Sequence, residues 1–228
     1  MNATFGSCPC NRPCDESHLN SKLLKSGEEF RFKRGEQLYR QGERASFLVS
    51  VCTGAVKVAR EWPDGREMVL DLAFRGDMVG EQAAREGALR PGTATALSSG
   101  RGIRISAEKL RRMLRDEPAL SAVLLDVSLK RQGAFSRRLD ELAHGPVENR
   151  LARVLLRIGD QVGLHDARGT FVPVKLSRGD LADMVGCRVE TTIRVMTRWQ
   201  RQGVLETQRE GIVLKDVDQL QEAARMTA

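Results

Sequence analysis

The sequence predicts an α+β protein: a β-barrel (jelly roll) in the first half, one long helix, and a C-terminal winged helix-turn-helix. Three observations carry this. Short alternating apolar runs separated by glycines occupy residues from about 30 to 105, the texture of a many-stranded antiparallel domain. A long helical pattern begins at Pro118. Leu176 to Leu214 then read as a helix, a tight turn, a second helix and two short strands.

The apolar runs are Phe30-Arg31-Phe32, Phe47 to Cys52, Ala55 to Ala59, Met68 to Leu72, Thr93 to Leu97 and Ile103 to Ile105. Turns are expected at Gly35, Gly42, Gly54, Pro63-Asp64-Gly65, Gly76, Gly80 and Gly100, and Pro-Asp-Gly between strands is a strong hairpin signal. Ser106 caps a short helix through about Asp116. The long helix carries Pro118 in its first turn, where proline is tolerated, and runs to about His144. Leu120, Leu124, Val127, Arg131, Ala134 and Arg138 follow a heptad-like seam, expected between two copies of the helix. Leu125, Phe135, Leu139 and Leu142 form a second stripe, expected to face the barrel. Two apolar faces need two partners, which predicts a homodimer; one wide stripe buried within a monomer is the alternative.

His144-Gly145-Pro146 is the hinge into a second domain. Its first helix spans Val147 to about Val162, and Phe171 to Leu176 reads as a strand. The chain thus divides into a cysteine-bearing leader (1–26), a β-barrel domain (27–116), a dimerisation helix with hinge (117–145) and a winged helix-turn-helix domain (146–228).

Composition limits the function. With 228 residues, 41% hydrophobic and 29% charged, the chain has enough apolar material for one or two cored domains. A net charge of +7 suits a polyanionic partner. Aromatic residues at 4% argue against a base-stacking single-strand binder. No apolar run approaches the ~20 residues that span a bilayer, and the first twenty residues lack a signal peptide's apolar stretch. A cytoplasmic protein without membrane contact is expected, in which five cysteines serve as free thiols or metal ligands rather than disulfides. There is no GxSxG or phosphate-loop motif and no His/Asp-rich cluster, so an enzyme finds no support.

The helix-turn-helix carries the functional signal. Ser177 is an N-cap with Asp180 three residues on, Leu181, Met184 and Val185 form an apolar face, and Gly186 ends the helix. The second helix runs from about Arg188 to Gln202, with Val189, Ile193, Met196 and Val195 expected inward. Arg188, Glu190, Thr191, Arg194 and Arg198 then face outward. Arg194 can bond guanine O6 and N7 bidentately, and Glu190 can accept from a cytosine amino group and hold the arginine. Thr191 and Arg198 are candidate phosphate contacts, and Ser177 completes the DNA-contacting set. An amphipathic hairpin with a solvated charged face is the bland alternative.

The barrel, long helix, Gly-Pro hinge and winged helix-turn-helix together resemble the CRP/FNR superfamily of bacterial transcription regulators. The resemblance covers about Gly27 to the end. It rests on Lys33 to Glu43, Gly54 to Val58, Gly76-Asp77-Met78-Val79-Gly80-Glu81 and the DNA-binding segment. It implies a cyclic-nucleotide-binding-like β-barrel, a homodimer, double-stranded DNA and RNA polymerase as partners, and a base-reading role for Glu190 and Arg194 on a TGA-type half-site. Val189 resembles the FNR-like branch. Ile193 departs from it, standing where that branch usually has serine, and Arg188 is a compensating candidate.

Several signals are open. Cys8, Cys10 and Cys14 crowd into seven residues, and a [4Fe–4S] cluster usually takes four thiolates. FNR proteins also carry an N-terminal cysteine group, at wider spacing; Cys52 or His18 is the candidate fourth ligand here. The same cysteines suit zinc or a thiol switch, or are incidental. Cys187 is expected to be a small buried residue. A cyclic nucleotide is the second candidate: the resemblance places Glu81 at the ribose hydroxyl and Arg90, with Thr93 nearby, at the phosphate, although Arg90-Pro91-Gly92-Thr93-Ala94 departs from the CRP pattern. Haem is third, but His18, His144 and His165 match no obvious barrel position. An effector-independent regulator and a non-DNA interaction module complete the alternatives; the latter leaves Glu190 and Arg194 beside a wing unexplained.

Overall fold

The computed structural model describes residues 26–143 and 145–225; in the long helix the side chains at 130, 134, 137, 138 and 140–143 fall outside the description. Eight strands form the first domain: β1 (Glu28–Phe32), β2 (Gln37–Tyr39), β3 (Phe47–Thr53), β4 (Val56–Glu61), β5 (Glu67–Ala73), β6 (Met78–Val79), β7 (Thr93–Ala96) and β8 (Gly100–Ser106). They make two four-stranded antiparallel sheets, ordered β1-β8-β3-β6 and β2-β7-β4-β5. Phe32, Val49, Val51 and Val79 of one sheet share a buried cluster with Leu38, Val56, Val58, Ala94 and Ala96 of the other, so the sheets pack face to face as a jelly roll.

The Pro63-Asp64-Gly65 hairpin joins β4 to β5 with Gly65 left-handed at φ +80°. Two strands, β2 and β6, are too short for an alternating pattern to reveal. The expected turn at Gly100 is instead the start of β8, paired with Phe32; a side chain there would meet Thr53 O at 2.1 Å and the Phe32 ring at 2.6 Å. Close approach, not turning, selects that glycine.

Two helices follow, α1 (Ala107–Asp116) and α2 (Pro118–Ala143). The Ser106 hydroxyl accepts from Lys109 N at 3.2 Å, capping α1 as expected. The two stripes of α2 lie opposite to expectation. Leu120 is buried, and Val123 and Val127 pack with it on the jelly-roll cluster of Leu48, Met78, Ile103 and Ile105. Leu125, Leu129, Phe135 and Leu139 are exposed by 44–59%. The Leu120-Val123-Val127 face packs on the jelly roll, and the bulkier leucine-phenylalanine face is the exposed one.

The second domain contains α3 (Val147–Val162), β9 (Leu164–Asp166), β10 (Gly169–Val172), α4 (Arg178–Val185), α5 (Val189–Arg201), β11 (Leu205–Gln208), β12 (Gly211–Leu214) and α6 (Val217–Arg225). Its sheet runs β11-β12-β10-β9. The strand expected over 171–176 ends at Val172, and β9 precedes it as a hairpin partner. Gly145 is left-handed at φ +90° and Pro146 caps α3, which fixes the hinge. Leu151, Leu155 and Ile158 of α3 form a core with Met196, Trp199, Leu205 and Leu214. The same cluster reaches Ala55, Ala59, Val69 and Phe74, so the jelly roll packs directly on the second domain.

Candidate nucleic-acid interface and effector cavity

The reading helix is built from its caps outward. Ser177 and Asp180 form a complete capping box: Asp180 N donates to Ser177 Oγ and Ser177 N donates to Asp180 Oδ2, both at 2.9 Å. Ser177 is thereby committed to the cap. Gly186 closes α4 at φ +63° and Arg188 is the N-cap residue of α5. Cys187, half-buried, lies 3.2 Å from Thr192 Oγ1, as a small packed residue would.

The inner face of α5 is Thr192, Val195, Met196 and Trp199. Val195 and Met196 meet expectation; Val189 and Ile193 do not, being 39% and 46% exposed. The buried arc is centred on the Met196-Trp199 edge. Trp199 acts as its anchor, donating Nε1–H to Glu148 Oε1 at 3.0 Å. The outer face carries Arg188, Val189, Glu190, Ile193, Arg194 and Arg198, with Thr191 half-buried at its margin. Among the described residues, Glu190 and Arg194 have no side-chain hydrogen bond or ion pair. Arg198 is ion-paired with Glu148, the carboxylate that also holds Trp199. Arg178 Nη2 donates to Thr207 Oγ1 at 2.8 Å, tying the start of α4 to the wing strand β11.

A cavity of about 240 Å³ lies where the jelly roll, α2 and the second domain meet. Tyr39, Asp71, Glu81, Arg131, Arg157 and Met184 are among its lining residues. Glu81 arrives on a 3₁₀ turn, Glu81–Ala84, and is ion-paired with Arg131 of α2. Burial pushes the Tyr39 phenol far above its ordinary range.

The other two effector candidates lie elsewhere. Arg90 is 2% exposed and turned inward: Nη1 donates to Gly80 O at 3.0 Å, Nη2 donates to Phe47 O, and its guanidinium sits 4.1 Å from the Tyr39 ring centroid. Gly80 makes this possible, since a side chain there would come within 2.3 Å of Arg90 Nη1. Thr93 is buried, accepts from Gln41 N at 3.1 Å and borders a shallow groove beside Trp62. Sequence reasoning missed Arg131, Asp71 and Tyr39. The available signal was Arg131, the first charged residue in a heptad-like seam that begins with Leu120, Leu124 and Val127.

Of the cysteine group, Cys8, Cys10 and Cys14, like His18, lie outside the described residues, as does His144. Cys52 is the bulged residue of β3, between Val51 and Thr53, and burial raises its thiol pKa. Among the described residues no group of three or more His, Cys, Asp or Glu is placed to hold a metal ion. His165 Nδ1 lies 3.0 Å from Thr170 Oγ1, in the β9–β10 hairpin. No helix among the described residues is long and apolar enough to cross a membrane.

Comparison with known proteins matches both halves. A cyclic nucleotide-binding domain family matches residues 29–117, and a Crp-like helix-turn-helix domain family matches residues 149–223. The chain belongs to the CRP/FNR superfamily of transcription regulators. It is 27% identical over 203 residues to a CRP-like cAMP-activated global transcriptional regulator of Mycobacterium tuberculosis, covering 89% of this chain and 91% of that one. It is 29% identical over 192 residues to a probable transcriptional activator of Rhizobium leguminosarum bv. viciae, covering 84% and 79%. Among solved structures, the c-di-GMP responsive global regulator CLP of Xanthomonas campestris aligns with a TM-score of 0.72 at 26% identity, over 87% of this chain and 99% of that one. FixK2 of Bradyrhizobium japonicum shares the fold, with a TM-score of 0.76 at 22% identity, over 89% and 99%. This chain is therefore a DNA-binding transcription regulator and not an enzyme.

Proposed function

We propose that this regulator acts in the cytoplasm as a homodimer on a TGA-type palindrome in double-stranded DNA, engages RNA polymerase there, and takes its signal at the N-terminal part. One observation carries the DNA reading: Glu190 and Arg194, one turn apart, are both exposed on the face of α5 that its buried arc leaves free. Beside them Val189 and Ile193 offer apolar surface that suits a thymine methyl group. The exposed leucine-phenylalanine face of α2 supports a second copy, because an apolar face of this kind on a regulator that must present two recognition helices finds its cover in a two-fold interface. Selection from randomised DNA should return two TGA-containing half-sites about one helical turn apart. The double variant Leu125→Glu/Leu129→Glu should sediment as a monomer and lose the palindrome. A dimeric variant with intact affinity would remove the α2 interface.

For the signal, the cysteine-held iron–sulfur cluster remains our reading, with Cys8, Cys10, Cys14 and Cys52 as ligands. Thiolates are the right donors for such a cluster, and the thiol of Cys52 would give up its proton on binding. The cluster would supply oxygen- or redox-sensitivity. Anaerobically purified wild-type protein should contain iron and sulfide and bleach in air, and Cys10→Ser should lack the visible absorbance. Colourless, iron-free wild-type protein ends this reading. A cyclic nucleotide is favoured by the matched barrel domain and the cAMP-activated relatives. It is disfavoured by Arg90 and Glu81, whose side chains are already spent on Gly80, Phe47 and Arg131.

A further inference from the structure

We propose that Arg131 is a resident ligand of the barrel cavity: its guanidinium bridges the polar acceptors of the cavity wall, and so fixes the long helix on the jelly roll without a small molecule. Nε lies 3.0 Å from Asp71 Oδ2, Nη1 is paired with Glu81, and Nη2 donates to the Met78 carbonyl. All three nitrogens of one guanidinium are used, on acceptors from β5, β6 and the 3₁₀ turn. A planar five-donor fork fits such an arrangement, whereas a lysine ammonium offers one point charge. The cation comes from α2, the element whose outer face is left for a second copy. Occupancy of this site therefore bears on where the two recognition helices stand.

Two features separate this from an ordinary surface ion pair. The Arg131, Glu81 and Asp71 side chains are only 25%, 20% and 37% exposed. Arg90 has been withdrawn to Gly80 and Phe47, which leaves the Asp71-Glu81 pair facing the cavity with a guanidinium between them. Such a site selects a planar, multiply donating cation, so its ligand class is guanidinium and amidinium compounds.

Truncating Arg131 should leave a hole that free guanidinium can refill. Full-length Arg131→Ala would be titrated with guanidinium chloride to on the order of 10 mM, the range in which a free group competes with a tethered one. Sodium chloride at equal ionic strength and urea serve as controls. Melting temperature and affinity for the selected palindrome are read in parallel. Without guanidinium, DNA affinity should fall about tenfold, a usual size for coupling between sites. Guanidinium, but not sodium or urea, should raise the melting temperature and restore most of the affinity, and Arg131→Lys should stay weak.

Unchanged or tighter DNA binding by Arg131→Ala overturns the proposal, as does a folded variant that guanidinium neither stabilises nor rescues. Should Arg131→Ala not fold, Glu81→Gln carries the test: it removes one acceptor charge without changing shape and should weaken DNA binding several-fold, and wild-type affinity would refute the idea. The DNA readout rests on the palindrome reading above, but the thermal one does not. Wild-type protein that binds no such DNA would fault that reading alone.

Discussion

Replacing Arg194 with alanine should cost ~1–3 kcal/mol of DNA affinity, five- to more than a hundredfold, and concentrate the loss on one base pair of each half-site. The structure makes Arg194 a specific test because its surroundings separate reading from positioning. Its side chain is exposed and unpaired among the described residues, one turn after Glu190, on a helix anchored from behind by Met196 and Trp199. Removing it should leave the fold and melting temperature unchanged. Arg198 is the contrast: it sits on the same helix but is ion-paired with Glu148. Arg198→Ala should weaken binding about equally on all sequences and reduce the salt dependence by about one phosphate contact. The two variants would be compared by fluorescence anisotropy on the selected site and its single-base variants, at two salt concentrations. If Arg194→Ala loses affinity uniformly, with the base preference intact, the helix does not read DNA through this residue.

Much of this organisation was legible in the chain. The capping box Ser177-Asp180, the stop at Gly186 and the hinge at Gly145-Pro146 each have a local physical cause, and local causes survive into the fold. Facing is different. Val189 and Ile193 share a helical spacing with Met196 just as Thr192 and Trp199 do, and only the position of Glu148 and the core of α3 decides which arc is buried. The two faces of α2 were reversed for the same reason: periodicity identifies stripes but not the partner of each. The cavity was least legible. Asp71, Glu81 and Arg131 are up to 60 residues apart, and Arg90 carries the resemblance to a phosphate-binding arginine while its side chain points away.

Lys57→Met should destabilise the docking of the two domains by about 2–3 kcal/mol, lowering the melting temperature by roughly 5–10 °C. Lys57 stands on β4 and its Nζ lies 2.8 Å from Asp180 Oδ1 and 2.7 Å from Glu67 Oε1. The three side chains are 12–23% exposed, so the expected loss is set below that for a fully buried pair. Asp180 is also the capping-box residue of α4, so this one ammonium connects the jelly roll to the start of the helix-turn-helix. Without it, Asp180 and Glu67 face each other with no cation between them, and Asp183, whose carboxyl burial already pushes up, lies close by. The pH dependence separates this cause from lost packing. In the wild type, the capping bonds and the Lys57 ammonium hold the Asp180 carboxyl below its ordinary value despite burial, so its contribution is complete above about pH 4 and is lost only as pH falls through that depressed value. Lys57 is raised in turn, and its contribution is lost only in strong alkali, above about pH 10. In Lys57→Met the carboxylates repel, the Asp180 carboxyl loses the ammonium that holds its pKa down, and its protonation relieves the strain. The gap between wild type and variant should therefore narrow from pH 7 to pH 5. Asp180→Asn added to Lys57→Met should recover part of the loss, because it removes the stranded charge and keeps an oxygen for the cap. A gap that is constant with pH, and a double variant no more stable than Lys57→Met, would make Lys57 a packing residue and leave the apolar contact of Ala55, Val69 and Phe74 as the tie between the domains.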